Sequence, residues 1–297
     1  NAGLEELRRE IDQYMSRRFD ISYDPLSEII VTVGGSEAID IAMRATLDIG
    51  DEVIIPTPSF VCYEPLAKMA GATPVILETY FEDEFKIDPQ KLKSLITPKT
   101  KMIVLPFPNN PTGAIMTKEE LLEIAKIVED TNIIILSDEI YAEMTYGSRH
   151  CSIATIEGMK ERTIVVNGFS KAFAMTGWRL GWVCAPAPIT SQMLKIHQYE
   201  IMSSPTTSQF AAISALRNGD NDIAYMTAEY DHRRTLIYNK LLEMNIESFE
   251  PKGAFYIFPK ISQFGLSGEE FCSELLKRYH VAIVPGEAFG ASGTGFA

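Results

Sequence analysis

Val166-Asn167-Gly168-Phe169-Ser170-Lys171-Ala172-Phe173-Ala174-Met175-Thr176-Gly177-Trp178-Arg179 is the stretch that decides how this chain reads. A β-branched run, Thr163 to Val166, predicts a buried strand, and one lysine follows it inside a loop of small and apolar residues. An arginine comes eight positions later, after Thr-Gly-Trp. Surface lysines usually sit on charged helix faces, and this one does not. A lysine amine in apolar surroundings is favoured in its neutral, nucleophilic form, which is what Schiff-base chemistry requires.

Working outward, short β-branched runs alternate with helical periodicity, the pattern of a mainly parallel sheet with helices on both faces. The predicted strands are Ile29 to Val33, Val53 to Ile55, Pro74 to Leu77, Met102 to Leu105, Ile133 to Leu136, Thr163 to Val166 and Gly181 to Ala185. Between them, Ser36 is a candidate cap for a helix running to Leu47, and Thr117 with Glu120 forms a capping-box pattern ahead of Leu121 to Glu129. Leu4, Leu7, Ile11 and Tyr14 share one helical face near the start. After Pro205 the pattern changes to two helices, Thr206 to Arg217 and Asp222 to Leu242. Alternating runs at Ile246 to Phe249 and Ala254 to Phe258 predict antiparallel strands, then a helix at Glu269 to Arg278 and a strand at Val281 to Val284. This predicts a large unit over residues 1–219 and, over 220–297, a connecting helix and part of a smaller α+β unit.

Four loops after predicted strands carry polar groups. Val33-Gly34-Gly35-Ser36 leads into a helix, whose free N–H groups and dipole suit a phosphate. Taken alone this reads better as an ordinary strand-to-helix turn. With Arg179 available to grip a phosphate through two N–H groups, phosphate binding is the better reading. Pro108-Asn109-Asn110-Pro111-Thr112-Gly113 is a rigid turn at the carboxyl end of a strand, where open α/β sheets bind ligands. Ser137-Asp138-Glu139-Ile140-Tyr141 puts a carboxylate after Ile-Ile-Ile-Leu, costly to bury without a partner. That partner is a helix N-terminus, a basic side chain or a protonated ring nitrogen. Pro58-Ser59-Phe60 offers an aromatic ring, with Tyr63 as a weaker companion.

Together these motifs resemble the class I/II aminotransferases of fold type I, in the branch that includes aspartate, aromatic and N-acetyl-diaminopimelate aminotransferases. The resemblance covers the large unit almost end to end. It implies an α/β fold with a mainly parallel seven-stranded sheet between helices, plus a smaller α+β domain. It also implies pyridoxal 5′-phosphate (PLP) as cofactor and transamination between an L-amino acid and a 2-oxo acid. Residue by residue, it gives Lys171 the Schiff base and the proton transfer, Asp138 the pyridine nitrogen, and Asn110 and Tyr141 the phenolic oxygen. Phe60 stacks on the ring, while Gly34, Gly35, Ser36, Ser170 and Arg179 hold the phosphate. Some relatives have a serine three residues before the lysine, where this chain has Gly168. The family's substrate-carboxylate arginine falls just after a Gly-Phe-x segment like Gly295-Phe296-Ala297, and a partner-subunit tyrosine falls before Gly3-Leu4-Glu5-Glu6-Leu7-Arg8. Both lie outside these 297 residues, so the chain is expected to be part of a longer protein and to act as a homodimer with a shared site. His197, in Lys195-Ile196-His197-Gln198-Tyr199, is a candidate ligand contact or a satisfied helix histidine. Two competitors share the fold: a PLP-dependent C–S lyase and a non-catalytic sensor domain of a transcription regulator.

Composition narrows the partners. A net charge of −13 argues against nucleic acid or anionic membranes. The four cysteines, Cys62, Cys151, Cys184 and Cys272, have no metal-ligand spacing and read as reduced thiols of a cytoplasmic protein. No metal site is predicted.

Overall fold

A computed structural model describes residues 1–297. All seven strands predicted between Ile29 and Ala185 form, as β1 (Ile29–Thr32), β2 (Glu52–Thr57), β3 (Thr73–Glu78), β4 (Thr100–Leu105), β5 (Ile134–Asp138), β6 (Thr163–Gly168) and β7 (Gly181–Cys184). They make one sheet in the order β1-β7-β6-β5-β4-β2-β3. β2, β3, β4, β5 and β6 pair in parallel, and β7 runs antiparallel to both of its neighbours, β1 and β6.

The helices are α1 (Glu5–Phe19), α2 (Gly35–Thr46), α3 (Tyr63–Met69), α4 (Pro89–Leu95), α5 (Lys118–Val128), α6 (Ala187–Glu200), α7 (Thr206–Asn218), α8 (Asp220–Glu243) and α9 (Gly268–Tyr279). Side chains of the central strands alternate between faces, and both faces are buried, so the strands read as continuous apolar runs. Val53, Ile55, Met102, Val104, Leu136, Ile164, Val166 and Val183 face Ile39, Met43, Tyr63 and Met193 of α2, α3 and α6. On the other face, Ile29, Val31, Val165, Trp182 and Cys184 meet Leu7, Ile11 and Tyr14 of α1 and Ala212 and Leu216 of α7. Ile54, Ile103, Leu105 and Ile135 pack with Leu121 and Ile124 of α5 and with Phe249, Phe258 and Phe296.

The caps follow the sequence in part. Thr117 and Glu120 close the capping box of α5, and Ser267 and Glu270 close another on α9. Ser36 does not cap α2. That helix begins at Gly35 with Gly34 at the cap position and no side-chain hydrogen bond, so its first N–H groups are left open.

The three strands predicted beyond α8 do not form. Ser248 bridges Pro259 and Lys260 bridges Phe296 only as isolated pairs. Ala254 adopts φ 56°, which breaks an extended run, and Val281 and Val284 stay about half exposed with no ladder partner. Alternation signals one buried face, but a strand also needs a neighbour for its backbone groups. Residues Lys252 to Ala254 instead bond to loops of the sheet: Lys252 and Gly253 donate N–H to the Gly113 carbonyl, Tyr146 N–H to Lys252, and Ala254 N–H to Met144.

Candidate active site

The carboxyl ends of β1, β4, β5 and β6 lie along one edge of the sheet, where a doubly wound α/β fold binds ligands. Because β7 is antiparallel, its start reaches the same edge and brings Arg179 there. These ends enclose a cavity of about 390 Å³ lined by Gly35, Ser36, Phe60, Asn110, Asp138, Tyr141, Ser170, Lys171 and Arg179. That volume falls at the lower end of the roughly 300–1,000 Å³ typical of small-molecule sites. Nine of the ten candidate residues from the sequence therefore line one space, and the tenth, Gly34, stands behind Arg179. Gly34 has φ +82°, a conformation that strains any other residue, and a Cβ there would lie 2.7 Å from Arg179 Nη2 and force the guanidinium to shift.

At one end of the cavity the α2 N-terminus presents open N–H groups beside the Arg179 guanidinium, whose Nη1 donates to the Thr176 carbonyl at 3.0 Å. Glycines let these backbones meet. Gly168 and Gly181 face each other across β6 and β7, and a Cβ on Gly181 would sit 2.7 Å from the Gly34 carbonyl carbon. A Cβ on Gly168 would sit 2.9 Å from Gly181 Cα, which is the physical reason a serine has no room at that position here.

At the other end Asp138 is buried at 7% exposure. Its Oδ2 accepts from the Tyr63 hydroxyl at 2.7 Å, and its Oδ1 accepts from Ile140 N–H at 3.2 Å. Burial pushes its carboxyl above the ordinary range, while Tyr63, Ile140 N–H and the nearby Lys171 pull it back. Tyr63, a weaker companion by sequence, is thus the direct partner of Asp138.

Lys171 lines the same cavity. Its amine lies 5.5 Å from the Tyr141 ring and 5.3 Å from the Phe255 ring. Desolvation lowers its pKa below that of an ordinary lysine; Arg179 adds to this, and Asp138 opposes it. Tyr141 is buried, and its hydroxyl is 2.6 Å from that of Tyr256. Phe60 stands edge-on to Tyr63 at 6.0 Å. Asn109, next to Asn110, is spent on the turn, accepting from Thr112 N–H and Thr112 Oγ1.

Tyr256 and Thr176 also line the cavity and Phe255 faces Lys171, although no motif in the sequence singles them out for the site. The one available signal was Gly253-Ala254-Phe255-Tyr256, a glycine and two aromatics inside what read as a strand. His197 is fully buried away from the cavity, its Nδ1 2.5 Å from Glu37 Oε1 and its Nε2 2.9 Å from the Asn1 carbonyl. It is a satisfied helix histidine. No group of His, Cys, Asp and Glu residues is arranged to hold a metal.

Residues at this cavity fit PLP. Open N–H groups with an arginine suit a phosphate, a hydrogen-bonded buried carboxylate suits a protonated ring nitrogen, and a half-buried amine lines the same cavity within the field of both Asp138 and Arg179. Comparison with known proteins agrees. The family model "Aminotransferase class I and II" matches residues 1–296. The chain is 45% identical over 299 residues to an aspartate aminotransferase of Pyrococcus abyssi, covering all of this chain and 77% of that protein. It is 44% identical over 296 residues to a Bacillus subtilis protein named "Probable N-acetyl-LL-diaminopimelate aminotransferase", again covering the whole chain and 75% of the relative. The crystal structure of an aromatic aminotransferase from Pyrococcus horikoshii superposes with a TM-score of 0.97 at 45% identity, over 99% of this chain and 80% of that one. The chain belongs to the class I and II aminotransferases of fold type I, enzymes that carry out transamination with pyridoxal 5′-phosphate.

Proposed function

We propose that Lys171 carries the cofactor as a Schiff base and moves the substrate's α-proton through its Nζ. The observation that supports this most directly is the lysine itself: a half-buried amine with lowered proton affinity that shares one cavity with a phosphate-type cradle and a buried carboxylate. Bound PLP would supply the electron sink for the carbanion left at the α-carbon. Asp138 holds the ring nitrogen's proton, and Tyr63 keeps that carboxylate aimed into the cavity. Asn110 and Tyr141 orient the phenolic oxygen, Phe60 covers the ring face, and Gly34, Gly35, Ser36, Ser170 and Arg179 fix the phosphate. With the phosphate and the ring nitrogen both held, the Lys171 amine is left to shuttle one proton between two carbons, positional catalysis by a matched base.

Aromatic L-amino acids are the favoured donors, followed by N-acetyl-diaminopimelate and aspartate. The rings of Tyr141, Tyr230, Phe255 and Tyr256, in mutual contact on one side of Lys171, support an apolar side-chain site. A donor panel with one 2-oxo acid acceptor tests the order. Phenylalanine or tyrosine should give the highest kcat/KM, and preference for aspartate by tenfold or more would reverse the ranking.

The chain is proposed to act as a cytoplasmic homodimer. Exposed Tyr199, Met202 and Phe210, clustered in sequence around the turn from α6 to α7, are apolar surface that a second copy would cover. No helix is long and apolar enough to cross a membrane. Residues 1–219 are proposed as the cofactor-binding unit, with α8 connecting it to part of a smaller one. The length of α8 and its single buried residue, Ile223, support that division.

A further inference from the structure

One buried carboxylate–imidazole pair beside the site has no part in the chemistry above. Glu139 follows Asp138 directly, is fully buried, and does not line the cavity. Its Oε1 accepts hydrogen bonds from Ser137 Oγ at 2.8 Å and Ser152 Oγ at 2.6 Å. Its Oε2 lies 3.0 Å from Nε2 of His150, whose side chain is 7% exposed and stands edge-on to Phe19. Its backbone N–H donates to the Val166 carbonyl on β6.

The arrangement brackets Asp138. Ser137 precedes it and Glu139 follows it, and their side chains bond to each other, so the backbone on both sides of the catalytic carboxylate is tied to one buried anchor. That anchor is fixed in turn by the loop carrying His150 and Ser152. One oxygen of this buried carboxylate has two hydroxyl donors, while Oε2 and His150 Nε2 approach each other without a hydrogen bond, an arrangement that is costly to bury. Glu139 sits next to Asp138 in the chain, and its negative charge acts on that group by raising its pKa.

We propose that Glu139 and His150 are positioning residues that act through Asp138, fixing its carboxylate against the ring nitrogen and setting the charge beside it. The proposal rests on the reading of Asp138 as the ring-nitrogen partner. The ionisable groups that share the field of Glu139 are Asp138, Tyr23, Cys151 and Cys184, with His150 in direct contact. All but Asp138 lie off the cavity, so a change of charge at Glu139 reports on the site through Asp138.

The test uses Glu139→Gln in the full-length, cofactor-loaded protein, which keeps the shape and one acceptor oxygen and removes the charge. Three quantities are read: kcat and KM for the best donor, the pH midpoint of the visible absorbance of the Lys171–PLP adduct, and the melting temperature of the cofactor-free protein. Loss of a nearby negative charge weakens proton binding at the adduct. The midpoint is therefore expected to fall by roughly half a unit or more, and kcat by about tenfold, with KM changed less than twofold. His150→Gln is the second variant if Glu139→Gln does not fold; it is expected to displace the midpoint and lower kcat with KM held. A folded variant with wild-type midpoint and kcat would overturn the proposal, whatever its melting temperature. A wild-type protein that forms no adduct at all would instead refute the Lys171 assignment, so the two failures are distinguishable.

Discussion

Replacing Tyr63 with Phe removes one oxygen and no other group, and its effect can be worked out from Asp138. In the cofactor-free protein that carboxylate is buried with two donors, the Tyr63 hydroxyl at 2.7 Å and Ile140 N–H at 3.2 Å. A hydrogen bond to a charged group contributes about 1.5–3 kcal/mol. Tyr63 is the largest of the effects that pull the Asp138 carboxyl back down, so Tyr63→Phe should raise it further above its already raised position. The sign follows from linkage. A carboxyl raised on folding binds its proton more tightly in the folded state, so stability falls as pH rises from the ordinary carboxylate range up to the folded-state value. Tyr63→Phe widens that window upward and should cost the cofactor-free protein about 1.5–3 kcal/mol at neutral pH, and less at pH 4. Differential scanning calorimetry of both proteins at several pH values measures this, as a deficit of several degrees at pH 7 that narrows under acid. Adding PLP should recover part of the loss, because the ring nitrogen supplies a new partner. A deficit equal at pH 4 and pH 7 would refute the reasoning, since Asp138 would then not be the group affected.

Other perturbations have equally definite outcomes. Gly34→Ala places a methyl 2.7 Å from Arg179 Nη2 at φ +82°, and equilibrium dialysis should show PLP bound at least tenfold more weakly. Arg179→Lys keeps the charge and loses the two-pronged grip, so the dissociation constant for PLP should rise by about tenfold while kcat at saturating PLP changes less. His197→Ala leaves the buried Glu37 carboxylate without its ring partner; unfolding experiments should show a loss of about 3 kcal/mol with KM for the donor unchanged. Gly181→Ala would drive a methyl into the Gly34 carbonyl carbon, and should lower both the melting temperature and the affinity for PLP.

The sequence made the central sheet legible because its strands are buried on both faces and bounded by glycine, proline and asparagine turns. Lys171, Asp138, Asn110 and the Gly34-Gly35 loop come together for the same reason: each ends or follows a strand, and parallel strands deliver their carboxyl ends to one edge. Arg179 arrives by a different route, through an antiparallel strand, and nothing in Gly181 to Cys184 states its direction. Tyr256 was hidden by distance, since it meets Tyr141 across 115 residues of chain. Ile246 to Phe249 and Val281 to Val284 misled because alternation reports exposure and cannot report whether a backbone partner exists. Ser36 has the residue type of a cap, but α2 starts at Gly35 with Gly34 in the cap position, two residues earlier than a Ser36 cap requires, leaving its N–H groups open at the cavity.

The most direct test of the account is chemical trapping. The full-length protein is loaded with PLP, reduced with borohydride, digested, and mapped by mass spectrometry. The account predicts that the reduced cofactor is found on the peptide containing Lys171, and that Lys171→Ala yields a folded protein with no modified peptide and no turnover. Modification at another lysine, or turnover by Lys171→Ala close to that of the wild type, would contradict it.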